Sequence, residues 1–251
     1  MSNSQQSVGI FAFFATAFAA AVYASFHSSS SVDGSTNGAL KIELNICLTP
    51  CLALEENLVS ASQRGGVKGA DCIVTLSAGE SRLKIAPHLT LFQVALPVSL
   101  LPEASARILK IASEFTAPEV TAKAVVLNAR EGSVEVQYSS SLALSSLQGH
   151  VLSSLNPLRG DLLVELDPGG TAPDVKNEQV CRYGFAEAGA AFRPHATINW
   201  FALGAGVGLE DIYGDYCFGG LDGRYDRLAI CVLGPKGTCP QTIASFPLRR
   251  E

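Results

Sequence analysis

The feature of this sequence that most constrains its fold is a short strand-like motif that occurs twice. Pro87-His-Leu-Thr90 and Pro194-His-Ala-Thr197 each place a histidine and a threonine two residues apart within an apolar run. Successive side chains alternate between the two faces of an extended strand, so each histidine projects to the same side as its threonine. The sequence therefore predicts two matching strands, each with one imidazole and one hydroxyl on one face.

The order of elements around the two motifs is also repeated, and this repetition predicts the architecture. Apolar alternation and β-branched residues are typical of strands, whereas leucine and alanine at helical spacing are typical of helices. Strands are predicted at 41–46, 72–76, 88–96, 120–127, 134–138, 192–201, 227–233 and 242–246, and helices at 50–64, 100–115 and 140–155. Each half thus contains strands, packing helices and one motif strand, so we expect an α+β fold with approximate internal twofold symmetry.

The composition is that of a folded protein with a large core and an acidic balance of charge. Of the 251 residues, 47% are hydrophobic and 16% are charged, and the net charge is −5. A long nucleic acid held through its phosphates requires a basic surface, so we expect no long duplex nucleic acid as a partner. A small phosphorylated ligand is compatible with this charge, because a local cationic pocket can exist on an acidic protein.

The amino-terminal segment predicts export or anchoring in a membrane. The first 32 residues contain no Asp, Glu, Lys or Arg, and residues 8–26 are almost continuously apolar. This length is close to that of a transmembrane helix, and the small residues near Ser25 resemble a signal cleavage site. A buried core helix is the alternative. We predict an exported (periplasmic or secreted) or membrane-anchored protein, with membrane association through residues 8–26.

The domain organisation follows from the same segment and from the serine-rich stretch behind it. We predict a signal peptide or membrane anchor at 1–26, a flexible linker at 27–39, and one folded domain at 40–251 with lobes at roughly 40–118 and 119–251. We expect this domain to be a monomer.

The spacing of the cysteines and histidines matches no common metal-binding motif. Seven cysteines leave at least one unpaired. Cys231 and Cys239 bracket a hairpin-like turn and could form a disulfide across it, although Cys231 could equally be an ordinary buried strand residue. The chain has no Cys-x-x-Cys pair and no His-Glu-x-x-His motif, so we expect no metal and no cofactor.

Two imidazoles and two hydroxyls around one cleft suit the hydrolysis of a phosphodiester. A neutral imidazole takes a proton from attacking water, and a protonated one donates a proton to the departing ribose oxygen. Threonine hydroxyls donate hydrogen bonds to the phosphoryl oxygens, where negative charge builds in the transition state. The predicted catalytic residues are therefore His88, His195, Thr90 and Thr197.

Three further residues are candidates for binding the substrate. Arg193 could clamp a phosphate, because a guanidinium suits bidentate recognition, and a surface role is the alternative. Phe92 and Trp200 could stack on a base, although aromatic residues on strands are more often part of the core.

The segments His88-Leu-Thr-Leu91 and His195-Ala-Thr-Ile198 resemble the paired His-x-Thr-x motifs of the two-histidine phosphoesterase superfamily. This superfamily includes the RNA 2′,3′-cyclic phosphodiesterases historically called 2′-5′ RNA ligases, and the resemblance covers about residues 40–251. It implies a bilobal fold in which two pseudo-symmetric antiparallel sheets with packing helices enclose a central cleft. It also implies metal-independent opening of a cyclic phosphate, with His195 as the base and His88 as the acid.

The predicted function is therefore that of a metal-independent cyclic phosphodiesterase. Its substrate is expected to be a small 2′,3′-cyclic or 2′-5′-linked nucleotide or an RNA end. The alternative is a non-catalytic module that binds a nucleotide or RNA end in the same cleft. A third possibility is a structural domain in which the repeated motif is coincidental.

Overall fold

One antiparallel sheet organises the part of the chain that the structure, a computed structural model, describes: residues 40–64, 86–128, 132–164, 178–200, 208–214 and 218–250. Its strands are β1 (Lys41–Pro50), β2 (Leu89–Pro97), β3 (Glu119–Val120), β4 (Ala122–Asn128), β5 (Ser133–Tyr138), β6 (His195–Trp200), β7 (Gly223–Val232) and β8 (Gln241–Pro247). Their order is β3-β7-β1-β2-β6-β5-β4, and β8 pairs with β7. Together with the helices described below, this sheet confirms the predicted α+β class.

The sheet has two halves that meet between the two motif strands. Strands β1, β2, β3, β7 and β8 form the first half, and β4, β5 and β6 form the second. At the seam, β2 and β6 are antiparallel, with Leu89 opposite Ala196. The two expected sheets are therefore two halves of one continuous sheet. Strands β7 and β8 belong to the first half because they extend it beyond β1, although the sequence boundary assigns them to the second lobe.

The helices pack against one face of this sheet and bury the stripes that their spacing predicts. The helices are α1 (Leu52–Arg64), α2 (Leu101–Glu114), α3 (Leu142–Arg159), α4 (Glu178–Tyr183) and α5 (Leu209–Tyr213). The N-cap hydroxyl of Ser141 accepts a hydrogen bond from the Leu144 amide and so begins α3. Helix α1 contacts β6, α3 contacts β2, and α2 contacts β8, so one apolar core spans both halves.

A β-bulge follows the threonine in both motif strands. Leu91 has no partner between the pairs Thr90–Cys47 and Phe92–Ile46. Ile198 likewise has no partner between Thr197–Glu135 and Asn199–Val134. From the histidine onward, six residues of each strand show the same order of half-buried and buried side chains. The two strands therefore repeat not only a motif but also an irregularity, as internal symmetry predicts.

The predictions for the amino terminus require a correction. Residues 1–26 and the linker at 27–39 lie outside the described residues, as does the predicted strand at 72–76. In the ranges that the structure describes, no helix is long and apolar enough to cross a membrane. This finding overturns the predicted membrane association and, with it, the exported or membrane-anchored location.

Candidate active site

The two motifs lie side by side on the face of the sheet opposite the helices. Because Leu89 faces Ala196 in an antiparallel pair, the flanking positions place His88 opposite Thr197 and Thr90 opposite His195. Opposed side chains on neighbouring strands have Cβ atoms about 4.5–5.5 Å apart. Each histidine thus lies beside the threonine of the other motif, and all four side chains are half-buried.

Both histidines are oriented by the backbone carbonyl two residues before them. Nδ1 of His88 lies 3.1 Å from the Ala86 oxygen, and Nδ1 of His195 lies 2.9 Å from the Arg193 oxygen. A proline stands between each carbonyl and its histidine, and the residue before a proline is held extended. Because a carbonyl only accepts, each of these contacts favours a proton on Nδ1, and Nε2 is then the nitrogen that accepts or returns a proton. The repeated proline thus orients the carbonyl that holds each imidazole.

A buried asparagine of β1, which the sequence analysis missed, connects the first motif to the loop before β8. The Asn45 amide donates to Thr90 Oγ1 at 3.1 Å and to the Gly237 oxygen at 2.8 Å, and it lies 3.4 Å from His88 Nε2. The same Gly237 oxygen lies 3.2 Å from His88 Nε2. Gly237 has φ 77°, and a Cβ there would lie 2.9 Å from Gln93 Nε2, so glycine is required.

The environment of His88 acts on its charge in two opposing directions. Burial lowers the pKa of His88, and the positive charge of His195 lowers it further. Hydrogen bonds to the carbonyls of Ala86 and Gly237 and the negative charge of Cys231 oppose this effect, because they favour the protonated ring. The charge of His195 therefore acts on His88, as a shared site requires, and a bound anion would favour protonated His88.

A carboxylate lies beside the second motif. Glu187 Oε2 is 3.8 Å from His195 Nδ1, and Glu187 Oε1 accepts a hydrogen bond of 2.8 Å from Arg193 Nη2. The Arg193 side chain is 72% exposed. The predicted phosphate clamp is therefore close to His195, but in the free protein it is paired with a carboxylate.

Gln148 of α3 connects the two motifs from the core side of the sheet. Its amide nitrogen donates to the carbonyls of Leu91, the bulged residue of β2, and of Glu187, at 3.1 and 3.0 Å. Its oxygen accepts from the Gly189 amide at 3.2 Å. One buried side chain thus satisfies the bulge after the first motif and holds the segment that places Glu187 beside His195. A polar residue on the apolar stripe of α3 was the available signal.

The two aromatic candidates have different outcomes because of the bulges. The extra residue in each strand reverses the alternation of faces. Phe92 is consequently fully buried in the core, where its ring packs 6.3 Å from Phe185, so the prediction that it stacks on a base is wrong. Gln93 takes its place on the motif face. Trp200 lies on the motif side and is half-buried, and its Nε1 has no hydrogen-bond partner in the part of the chain that the structure describes.

Three cysteines that are distant in the sequence lie close together beside the first motif. Cys47 Sγ lies 3.8 Å from Cys231 Sγ and 3.8 Å from Cys239 Sγ, and all three sulfurs lie within 4.8 Å of one another. All three are free thiols, so the suggested Cys231–Cys239 disulfide is not formed. Hydrogen bonds from Cys239 and Cys47 lower the pKa of Cys231, whereas burial raises the pKa of Cys239.

Comparison with known proteins identifies the fold. No protein-family model and no curated protein matches the sequence. The crystal structure of TT0787 of Thermus thermophilus is similar, with a TM-score of 0.55 and 18% identity over 84% of this chain and 100% of that chain. E. coli LigT complexed with 3′-AMP has a TM-score of 0.45 and 13% identity, over 84% and 98% of the two chains. E. coli LigT complexed with NADP+ has a TM-score of 0.45 and 12% identity, over 84% and 96%. The chain therefore has the α+β fold that its resemblance to the two-histidine phosphoesterase superfamily predicts.

Proposed function

We propose that the protein is a phosphodiesterase that hydrolyses a small 2′,3′-cyclic or 2′-5′-linked nucleotide or RNA end by two-histidine acid–base catalysis. The observation that carries this proposal is the reciprocal arrangement of the motifs, in which His88 faces Thr197 and His195 faces Thr90. One phosphate above this cluster would contact both imidazoles and both hydroxyls. Because each Nδ1 is held by a carbonyl, Nε2 is the nitrogen of each ring that we assign to proton transfer, and in the free protein that of His88 lies against the Gly237 carbonyl.

We assign the roles of the histidines in the order that the family resemblance implies, with His195 as the base and His88 as the acid. His195 Nε2 takes a proton as the water oxygen attacks phosphorus. The bond from phosphorus to the ribose oxygen breaks, and that oxygen takes the proton of His88 Nε2. The Gly237 carbonyl, 3.2 Å from His88 Nε2, favours a proton on this nitrogen. Thr90 and Thr197 donate to the phosphoryl oxygens as their negative charge grows.

The charges near the motifs support a small anionic substrate. Lys236 is exposed in the loop next to Gly237, and Arg193 is exposed two residues before His195. The chain as a whole is acidic, with a net charge of −5, so these two cations are a local feature and not part of a basic surface. A single phosphate group is therefore better matched to the site than a long polyanion. Trp200, on the same side of β6, is the candidate for stacking on the base.

The test is a panel of substrates offered to the full-length protein in EDTA. The panel contains 2′,3′-cyclic mononucleotides, oligonucleotides with cyclic ends and 2′-5′-linked dinucleotides. We expect turnover of at least one class, and a loss of about two to four orders of magnitude in His88→Ala and His195→Ala. Thr90→Val and Thr197→Val should each lower kcat by about two to three orders of magnitude.

The matched control is His150→Gln, because His150 is exposed on α3, where its Nδ1 lies 2.8 Å from the Ser146 carbonyl and its ring packs edge-on against Phe115. This variant should keep the wild-type rate. Binding of the panel without turnover would contradict the proposal and favour the non-catalytic module. Turnover that survives both histidine substitutions would also contradict it.

A further inference from the structure

The three-cysteine cluster beside the first motif has the geometry of a metal site. Cys47, Cys231 and Cys239 have two sulfur–sulfur separations of 3.8 Å, and no sulfur pair exceeds 4.8 Å. Four ligands at the usual zinc–sulfur distance of about 2.3 Å in a tetrahedron lie about 3.8 Å from one another. The sulfurs thus already stand close to the spacing that one tetrahedral ion imposes.

Two strands and a loop bring these sulfurs together on the motif face. Alternation along β1 places Asn45 and Cys47 on this face, whereas Leu44, Ile46 and Leu48 point into the main core. Cys231 of β7 pairs in register with Asn45, and Cys239 enters from the loop before β8. With the small side chain of Ala229, the cysteines form a buried cluster separate from the main core.

We propose that Cys47, Cys231 and Cys239 bind one zinc ion through three thiolates, with a water molecule as the fourth ligand. Thiolate sulfur selects zinc over the harder divalent cations that prefer oxygen. A second observation supports the fourth position. Asn45 lies against Cys239 and is fully buried, and among the residues that the structure describes its Oδ1 atom has no hydrogen-bond partner. A zinc-bound water has a proton to donate to this oxygen.

A disulfide accounts less well for the same cluster. Cys47 faces Ala229 in register, so Cys231 is its diagonal neighbour on β7. Diagonal positions on adjacent strands lie about 7–8 Å apart, beyond the reach of a disulfide without movement of the backbone. A bond from Cys239 to either partner would leave the third thiol buried and unused. An ion uses all three.

The zinc ion would hold the loop that contacts the first motif and would not take part in the reaction itself. Cys239 follows Gly237 by two residues, and the Gly237 carbonyl contacts both Asn45 and His88. The loop is also held by a 2.8 Å hydrogen bond from the Gly234 amide to the Thr238 carbonyl. An ion bound to Cys47, Cys231 and Cys239 would tie this loop to β1 and β7. The proposal does not depend on the phosphodiesterase activity, and its test measures metal directly.

The experiment uses the full-length reduced protein, purified without chelator and loaded with Zn²⁺ or with Co²⁺ as a spectroscopic substitute. We expect one zinc per chain by elemental analysis, and the near-ultraviolet sulfur-to-cobalt absorption of a thiolate site. Cys47→Ser, Cys231→Ser and Cys239→Ser should each lose the bound equivalent. Cys181→Ser is the matched control, because Cys181 is exposed on α4, and it should keep the metal.

A second measurement on the wild type keeps the test independent of whether the variants fold. Zn²⁺ should protect Cys47, Cys231 and Cys239 from alkylation, while Cys181 stays reactive. Equal alkylation of the three thiols with and without Zn²⁺ would overturn the proposal. So would substoichiometric zinc in the reduced protein, a cobalt spectrum unchanged in the three variants, or a disulfide within the cluster.

Discussion

The charge of the His88 imidazole depends on a balance between burial and two carbonyl groups. Burial favours the neutral ring, whereas the oxygens of Ala86 and Gly237 favour a proton on each nitrogen. Among the described residues, His195 Nδ1 contacts one carbonyl oxygen, that of Arg193, and lies 3.8 Å from the Glu187 carboxylate. The two histidines of the repeated motif are therefore chemically different, although their local sequences are nearly the same.

This balance predicts how His88 titrates. We expect a pKa below about 6.5, the value of an unperturbed histidine, because burial is the larger effect. The neutral ring then contributes to the free energy of unfolding above about pH 6.5, and this contribution is lost as the pH falls through the lowered pKa. Imidazole NMR of the free protein measures the midpoint, and inorganic phosphate should raise it.

The control for this titration is His150, whose signal phosphate should leave unchanged. His88→Gln should remove the part of the acid destabilisation that is due to His88, as measured by urea denaturation between about pH 5 and pH 7. A His88 midpoint above about 7 in the free protein would contradict this account.

At the level of elements, the paired bulges determine which side chains reach the site. Strict alternation from Thr90 predicts that Phe92 shares its face, but the extra residue Leu91 turns Phe92 into the core and Gln93 towards the motifs. A bulge arises from the pairing of two strands, here β1 with β2, so the spacing of residues within β2 alone does not reveal it. The same irregularity in β6 leaves Trp200 on the motif side.

The bulge of β2 depends on Gln148, which predicts a large effect of replacing it. Gln148→Leu leaves the carbonyls of Leu91 and Glu187 and the amide of Gly189 without their partner. We expect the free energy of unfolding to fall by about 1–3 kcal/mol or more, because each buried polar group without a hydrogen-bond partner is destabilising. Urea denaturation measures this loss.

Ser145→Ala is the control for this substitution, because Ser145 is exposed on the same helix, and it should change stability by less than about 0.5 kcal/mol. A Gln148→Leu variant as stable as wild type would show that other groups or water satisfy the bulge.

At the level of the whole molecule, one core holds together two half-sheets that share a narrow seam. Leu89 and Ala196 are the residues paired there, and both are fully buried. The hydrophobic core nevertheless runs continuously across the seam, because α1 packs on β6 and α3 packs on β2. Each half-sheet thus relies on a helix that follows a strand of the other half.

This interlocked packing predicts that the described domain unfolds in one cooperative transition. Trp200, the single tryptophan of the chain, reports on the second half, and alkylation of buried Cys231 reports on the first. Their midpoints in urea should coincide with that of far-ultraviolet circular dichroism. Separate midpoints would mean that the half-sheets fold independently.

Much of the architecture was predictable from local patterns. The strands at 41–46, 88–96 and 134–138 and the apolar stripe of α3 lie where alternation and helical spacing place them. The position of β7 and β8 in the first half of the sheet was not predictable, because strand neighbours are chosen by packing over long sequence separations. The same holds for the site: the histidines and threonines carry a local signal, whereas Asn45, Glu187 and Gln148 do not.

The sequence by itself determined the α+β class, the two motif strands and the histidine and threonine that share a face of each strand, because these depend on periodicities of two and 3.6 residues. Only the tertiary structure decided that His88 faces Thr197, that bulges exchange Phe92 for Gln93, and that Cys47, Cys231 and Cys239 converge. These features depend on strand register and on a loop closed by Gly237, which join residues up to 192 positions apart. Contacts at such separations leave no period in the sequence, so they appear only when the chain is folded.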